Sequence, residues 1–214
     1  SGISNNRKKV HVIYNGVLRK YNKFPKKKKE VLFVGRLVPE KGVDLYVDVV
    51  ESLASKYPDW SFSMIGSFKL GENQSANIFA DMVINRFKKI GSQAKFYGFK
   101  DHNFVDDKMK RASIIIIPSL WQEPFGLVAA EAMSNGMCII ASKVGGIPEI
   151  IDKNGILIEK INKNKLEQNL LNLLNDPKKI YFYQRKAWEN FKHSSENSSQ
   201  KLDEFRNIIF RRYF

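Results

Sequence analysis

The chain has 214 residues, with 36 Lys and Arg against 22 Asp and Glu for a net charge of +14. That length accommodates one large α/β domain with a sizeable core, and the basic balance favours an anionic partner: a nucleotide, a nucleic acid or an acidic lipid surface. Purely apolar stretches such as Ile114 to Ile117 are strand-sized, whereas a membrane span needs roughly 20 residues, so any membrane contact would be peripheral.

The opening Ser1-Gly2, with no Met, reads as a cleavage scar, and the chain as part of a longer protein. Residues 18 to 30 end in four consecutive lysines followed by Glu30, a stretch too charged for a core. Residues 1–30 are therefore expected to be an interdomain segment and basic linker, residues 31–195 the globular domain, and residues 196–214 a tail helix.

Apolar runs of strand length follow: Val31 to Arg36, Ser61 to Gly66, Ala94 to Phe99, Ser113 to Ser119, Cys138 to Lys143 and Gly155 to Glu159. Continuous apolar strands separated by helical patterns predict a parallel sheet covered on both faces, a doubly wound, Rossmann-like α/β fold of about six strands. Between the first two strands Val43, Val47, Val50, Ala54 and Tyr57 recur at helical spacing, with Pro58 as the stop. Cys138, the one cysteine, sits in an apolar run and is expected to be buried; it forbids an internal disulfide framework and suggests a reducing compartment. Helical patterns return around Lys163 to Leu174 and Pro177 to Phe191, then a polar stretch leads to Lys201 to Phe214, where apolar and basic residues alternate at helical spacing.

Two segments carry chemistry. After the first strand, Gly35-Arg36-Leu37-Val38-Pro39-Glu40-Lys41-Gly42 places two cations in the loop outside a strand's carboxyl end, where α/β sheets bind ligands. Arg36 offers a planar fork for phosphate oxygens and Lys41 a compact mobile charge. After the most apolar strand comes Glu123-Pro124-Phe125-Gly126-Leu127, then Glu131 on a helix whose other residues are apolar. A carboxylate there needs a partner or a face open to a cleft.

The spacing Glu123-Pro-Phe-Gly-Leu to Glu131-Ala-Met-x-x-Gly resembles the signature of retaining GT-B glycosyltransferases of family 4. The resemblance extends over residues 11 to 160, through Val12 to Val17, the Gly35 to Gly42 loop and the turn Gly145-Gly146-Ile147-Pro148-Glu149. It implies the C-terminal half of such a fold, binding a nucleotide-diphospho-sugar donor with UDP as the first candidate. Arg36 and Lys41 would hold the diphosphate and offset the charge of the departing group. Glu123 would accept hydrogen bonds from the donor sugar and Glu131 from the ribose, roles suited to acceptor-only carboxylates. Main chain around Phe125, Gly126 and Leu127 would meet phosphate and sugar at a helix start, and the base would lie near Phe99 and Lys100. Gly35 and Gly66 would let backbone approach the donor. No metal or cofactor is expected, since Asp106-Asp107 is not the Asp-x-Asp of metal-dependent transferases.

The resemblance further implies transfer to a glycan or lipid-linked glycan through an absent N-terminal domain, a cytoplasmic setting at the inner membrane face, and an isolated fragment without activity. Ser67 to Glu72 departs from the acidic-glycine loop common in the family. His11, His102 and His193 match no family motif and are expected at the surface or in loops. Two rivals are an epimerase or other enzyme on the same fold and a basic nucleic-acid-binding domain; no nucleic-acid-binding signature accompanies the charge.

Overall fold

The computed structural model describes residues 12–67 and 74–213. Six strands, β1 (Lys28–Val34), β2 (Ser61–Ile65), β3 (Ala94–Phe96), β4 (Ala112–Ile117), β5 (Cys138–Ser142) and β6 (Ile156–Ile158), form one parallel sheet in the order β3-β2-β1-β4-β5-β6. Among the described residues eight α-helices accompany them: α1 (Val43–Leu53), α2 (Gln74–Lys89), α3 (His102–Arg111), α4 (Leu127–Ser134), α5 (Ile147–Ile151), α6 (Lys163–Leu174), α7 (Pro177–Glu189) and α8 (Ser195–Tyr213). The sheet has the doubly wound order, and its direction of winding reverses between β1 and β4.

Both faces of the sheet are buried, which is why the strands are apolar without alternation. Val31, Phe33, Phe62, Met64, Ile114, Ile116 and Ile140 pack on one side with α1, α2 and α6. Leu32, Ile65, Ile115, Ile139 and Ala141 point the other way, into α3, α4 and α5. Cys138 is fully buried, and burial pushes its thiol far above the ordinary range. Tyr46 is accommodated in the first layer because its hydroxyl donates to the carbonyls of Val31 (3.1 Å) and Ser63 (3.0 Å).

One expectation needs correction. The lysine-rich stretch does not run free of the domain: β1 already begins at Lys28, and the residues before it pack on α7. Arg19 stacks its guanidinium 4.0 Å over the Trp188 ring and donates to the Trp188 carbonyl at 2.7 Å, while Phe24 meets Trp188 edge-on at 5.8 Å. Lys27 reaches between α3 and α4, donating to the carbonyls of Met109 (3.0 Å) and Asn135 (2.8 Å). Charge density forecasts exposure, but apolar stems and stacked cations bury long basic side chains all the same. The expected tail helix is present and begins one residue earlier: α8 starts at Ser195, where the Ser194 hydroxyl accepts from the Asn197 amide at 3.1 Å. Phe214 and His11 lie outside the described residues, as does most of the Ser67 to Glu72 loop.

Candidate donor-binding site

The reversal between β1 and β4 opens a crevice at the carboxyl ends of the strands, and the loops after those two strands wall it. After β1 the chain is pinned by Gly35 and Leu37, whose amides donate to the carbonyls of Ile65 and Ser67, each at 3.1 Å. Leu37 is fully buried, which turns Arg36 outward. A single 3₁₀ turn, Pro39–Lys41, then leads to Gly42 at φ 62°. A Cβ on Gly42 would stand 2.1 Å from the Pro118 carbonyl oxygen, so only glycine allows the β1 and β4 loops to lie this close. The contact is sealed by Leu120 and Trp121, whose amides both donate to the Glu40 carbonyl, at 2.8 and 3.2 Å.

That approach brings two of the expected site residues together. Lys41 Nζ pairs with Glu123 Oε1, and the Ser119 hydroxyl donates to the same oxygen at 2.8 Å. The turn Gly145-Gly146 braces Glu123 from behind: the Gly146 amide donates to its carbonyl at 2.7 Å, and the Gly145 amide to Gln122 Oε1 at 2.7 Å. Gly126, at φ 95°, leads into α4, whose first turn no side chain caps. The amides of that turn face a cavity of about 380 Å³, lined by Gly35, Lys41, Glu123, Phe125, Gly126 and Leu127 together with Asn15 and Ser119. Uncapped amides and a half-buried cation at one wall form an environment for an anion.

A second cavity, about 310 Å³, adjoins the first through Val34 and Gly35. It holds Arg36, Gly66, Phe99 and Lys100. Gly66 lies against Gly35, where a Cβ would come within 1.8 Å of the Gly35 carbonyl oxygen. Phe99 is 77% exposed, presenting a ring at the mouth. Arg36 and Lys41 therefore serve two connected compartments rather than one.

Glu131 lines neither cavity. It lies in the second turn of α4, facing α3, with Oε1 3.6 Å from His102 Nδ1. Burial lifts its carboxyl above the usual range; His102 pulls it down and Asp106 adds to the rise. His102 thus stands beside a proposed ligand carboxylate, although its own side chain is largely exposed as expected. His193 lies in the loop between α7 and α8, as expected, but it is only 4% exposed, edge-on to Tyr14 at 5.2 Å and to Phe125 at 6.0 Å. Tyr14 in turn donates to Glu149. Gln122 and Tyr14 carry no signal of their own in the sequence, since each meets a residue distant along the chain, and the bond of Ser119 to Glu123 depends on the turn between them.

A doubly wound sheet with a cation and a glutamate clasped across its switch point, backed by a Gly-Gly turn, has the architecture of the C-terminal half of the GT-B fold. The sequence model of glycosyl transferases group 1 matches residues 16–192, and the chain belongs to that family. It is 34% identical over 174 residues to the uncharacterized glycosyltransferase MJ1178 of Methanocaldococcus jannaschii, covering 80% of this chain and 46% of the relative. Its fold is similar to the C-terminal domain of the glycosyl transferase group 1 family protein LpcC from Francisella tularensis, at TM-score 0.65, 25% identity, 83% of this chain and 93% of that one. It is also similar in fold to Anabaena HepE in complex with UDP-glucose, at TM-score 0.77, 21% identity, 92% of this chain and 57% of that one. The chain spans about half the length of the curated relatives it matches.

Proposed function

We propose that the chain is the donor-binding half of a retaining glycosyltransferase of family 4, taking a nucleotide-diphospho-sugar, with UDP the first candidate nucleotide. The observation that carries this reading is the clasp of Lys41 and Glu123 on the wall of a cavity that opens onto the uncapped start of α4. The UDP-glucose held by the structural neighbour HepE supports the choice of nucleotide.

In this reading the diphosphate spans the two cavities at Gly35. Arg36 approaches it from one side and Lys41 from the other, with the amides of Phe125, Gly126 and Leu127 beneath. As the bond from the sugar's anomeric carbon to the phosphate oxygen breaks, negative charge gathers on the departing diphosphate. Two preorganised cations stabilise that charge more than they stabilise the bound donor, without calling on a metal ion. Glu123, held by Ser119 and Lys41, accepts from the sugar's hydroxyls, and Glu131 from the ribose diol, while the base lies against Phe99 and Lys100. The acceptor, a glycan or lipid-linked glycan, is brought by a further domain, and residues 31–195 act as the donor-binding unit. Exposed cations support peripheral contact with an anionic membrane face.

Calorimetric titration with UDP tests the reading. Arg36→Ala and Lys41→Ala are each expected to weaken UDP by about 1.5–3 kcal/mol, the range for hydrogen bonds to charged groups. Their melting temperatures should stay near the parent's, because Arg36 is exposed and Lys41 lies on a cavity wall. Unchanged affinity in both variants would overturn the assignment.

A further inference from the structure

Beneath the second cavity lies a buried polar cluster that the proposed donor contacts do not use. Glu30 on β1 is 5% exposed and Ser63 on β2 is fully buried. The Ser63 hydroxyl donates to Glu30 Oε1, and Lys108, on α3, brings its ammonium to the same oxygen. That ammonium also donates to the Tyr97 hydroxyl at 3.2 Å and lies 4.7 Å from the centroid of the Tyr97 ring. One cation thus ties the floor of the sheet to Tyr97.

Tyr97 stands at a useful point of leverage. Its amide donates to the Met64 carbonyl at 3.0 Å, prolonging the pairing of β3 with β2 by one residue. The next residue, Gly98 at φ 67°, turns the chain into Phe99 and Lys100, the two residues that reach the second cavity. The far end of this loop is tied to the same bundle: the Tyr97 ring leans on Phe104 at 5.3 Å, Lys100 lies 5.2 Å over Phe104, and Asp101 caps α3 through the Phe104 amide at 2.9 Å. A buried ion pair adds little net stability over a well-packed apolar substitute, but its directed bonds fix distances that apolar packing leaves adjustable. The cluster lies outside the wall that holds Lys41, Glu123 and the start of α4.

We propose that Lys108 is a positioning residue that sets the height of Phe99 and Lys100 through Tyr97, governing recognition of the base end of a nucleoside diphosphate while leaving the diphosphate end untouched. The inference rests on the nucleotide reading of the two cavities. Lys108→Met keeps the apolar stem and removes the charge; Tyr97→Phe keeps the ring and removes the hydroxyl; Lys108→Arg restores a donor.

Each variant is titrated with UDP, GDP and inorganic pyrophosphate, alongside a melting curve. Lys108→Met and Tyr97→Phe should weaken UDP about three- to tenfold, the span of one hydrogen bond, and narrow the preference between UDP and GDP. Pyrophosphate affinity should hold, and Lys108→Arg should recover part of the loss. A UDP-to-pyrophosphate affinity ratio equal to the parent's in both Lys108→Met and Tyr97→Phe overturns the role of Lys108. A parent chain that binds no nucleoside diphosphate overturns the nucleotide reading, and this inference with it.

Discussion

Glu123 and Glu131 are both acidic, yet their surroundings differ. Glu123 is held by an ammonium and a hydroxyl, whereas Glu131 is partly desolvated, with His102 Nδ1 3.6 Å away. An acid whose folded value is raised keeps its proton to higher pH when folded than when unfolded. Its contribution to stability is therefore present below the ordinary glutamate value of about 4.3 and is lost as pH rises through the raised value. At neutral pH the ionised Glu131 is a cost, which a diol donating two hydrogen bonds relieves. Affinity for UDP-glucose, whose phosphates do not titrate in this range, should accordingly fall as pH is lowered from neutral through the raised value. Glu131→Gln should weaken binding at neutral pH and flatten that slope. Glu123→Gln should instead cost mainly the increment that the sugar adds over UDP. Equal losses of UDP and UDP-glucose in Glu123→Gln would show the division to be wrong. Glu131 stands out in the sequence as a charge on an apolar helix, but its neighbour His102 does not, because their meeting depends on how α3 docks against α4.

At the scale of elements, the expected strand runs extend past the paired ones, mainly at their carboxyl ends. The runs reach Arg36, Gly66, Phe99 and Ser119, whereas the strands stop at Val34, Ile65, Phe96 and Ile117. Apolar character continues past the last ladder bond because the loops beyond must also pack, and the overshoot coincides with the crevice. Glycines decide the geometry there. Gly42→Ala should cost at least about 1–2 kcal/mol for the left-handed backbone and, by pushing Pro118 away, loosen the Lys41–Glu123 contact and UDP-glucose binding with it. Gly91→Ala is the control: its φ is 97°, but no atom lies within 4 Å of the added Cβ, so stability should drop while binding holds. Urea unfolding and ligand titration of the two variants separate strain from displacement. The helices over residues 74–89 and 102–111 are more polar than the strands they connect, and the requirement for crossovers between parallel strands makes them inevitable.

For the molecule as a whole, the fold class was legible because six apolar runs admit few arrangements, whereas the fate of residues 14–27 was not. Their packing depends on Trp188 and Phe191, at the opposite end of the sequence. Net charge alone forecasts less than its placement. No helix among the described residues is long and apolar enough to cross a membrane. Along α8, however, Ile208 (57%) and Ile209 (41%) are exposed on a helix that also carries Lys201 and Arg206. Exposed apolar residues on this helix, in a chain of net charge +14, should hold the chain to anionic vesicles through screened charge attraction. Co-sedimentation should fall steeply with added salt and drop when residues 201–214 are removed; equal binding to neutral vesicles would refute the electrostatic account.

The bridge between Val17 and Ser194 has a mechanical consequence. The Val17 amide donates to the His193 carbonyl at 2.9 Å, and the Ser195 amide to the Val17 carbonyl at 3.2 Å, so the two ends of the family-matched stretch are stitched side by side. The chain therefore enters and leaves that stretch at one place, although Tyr14, ahead of the seam, also reaches Glu149. Exchanging residues 17–194 for the corresponding stretch of a relative requires this junction to be matched along with the Tyr14 contact.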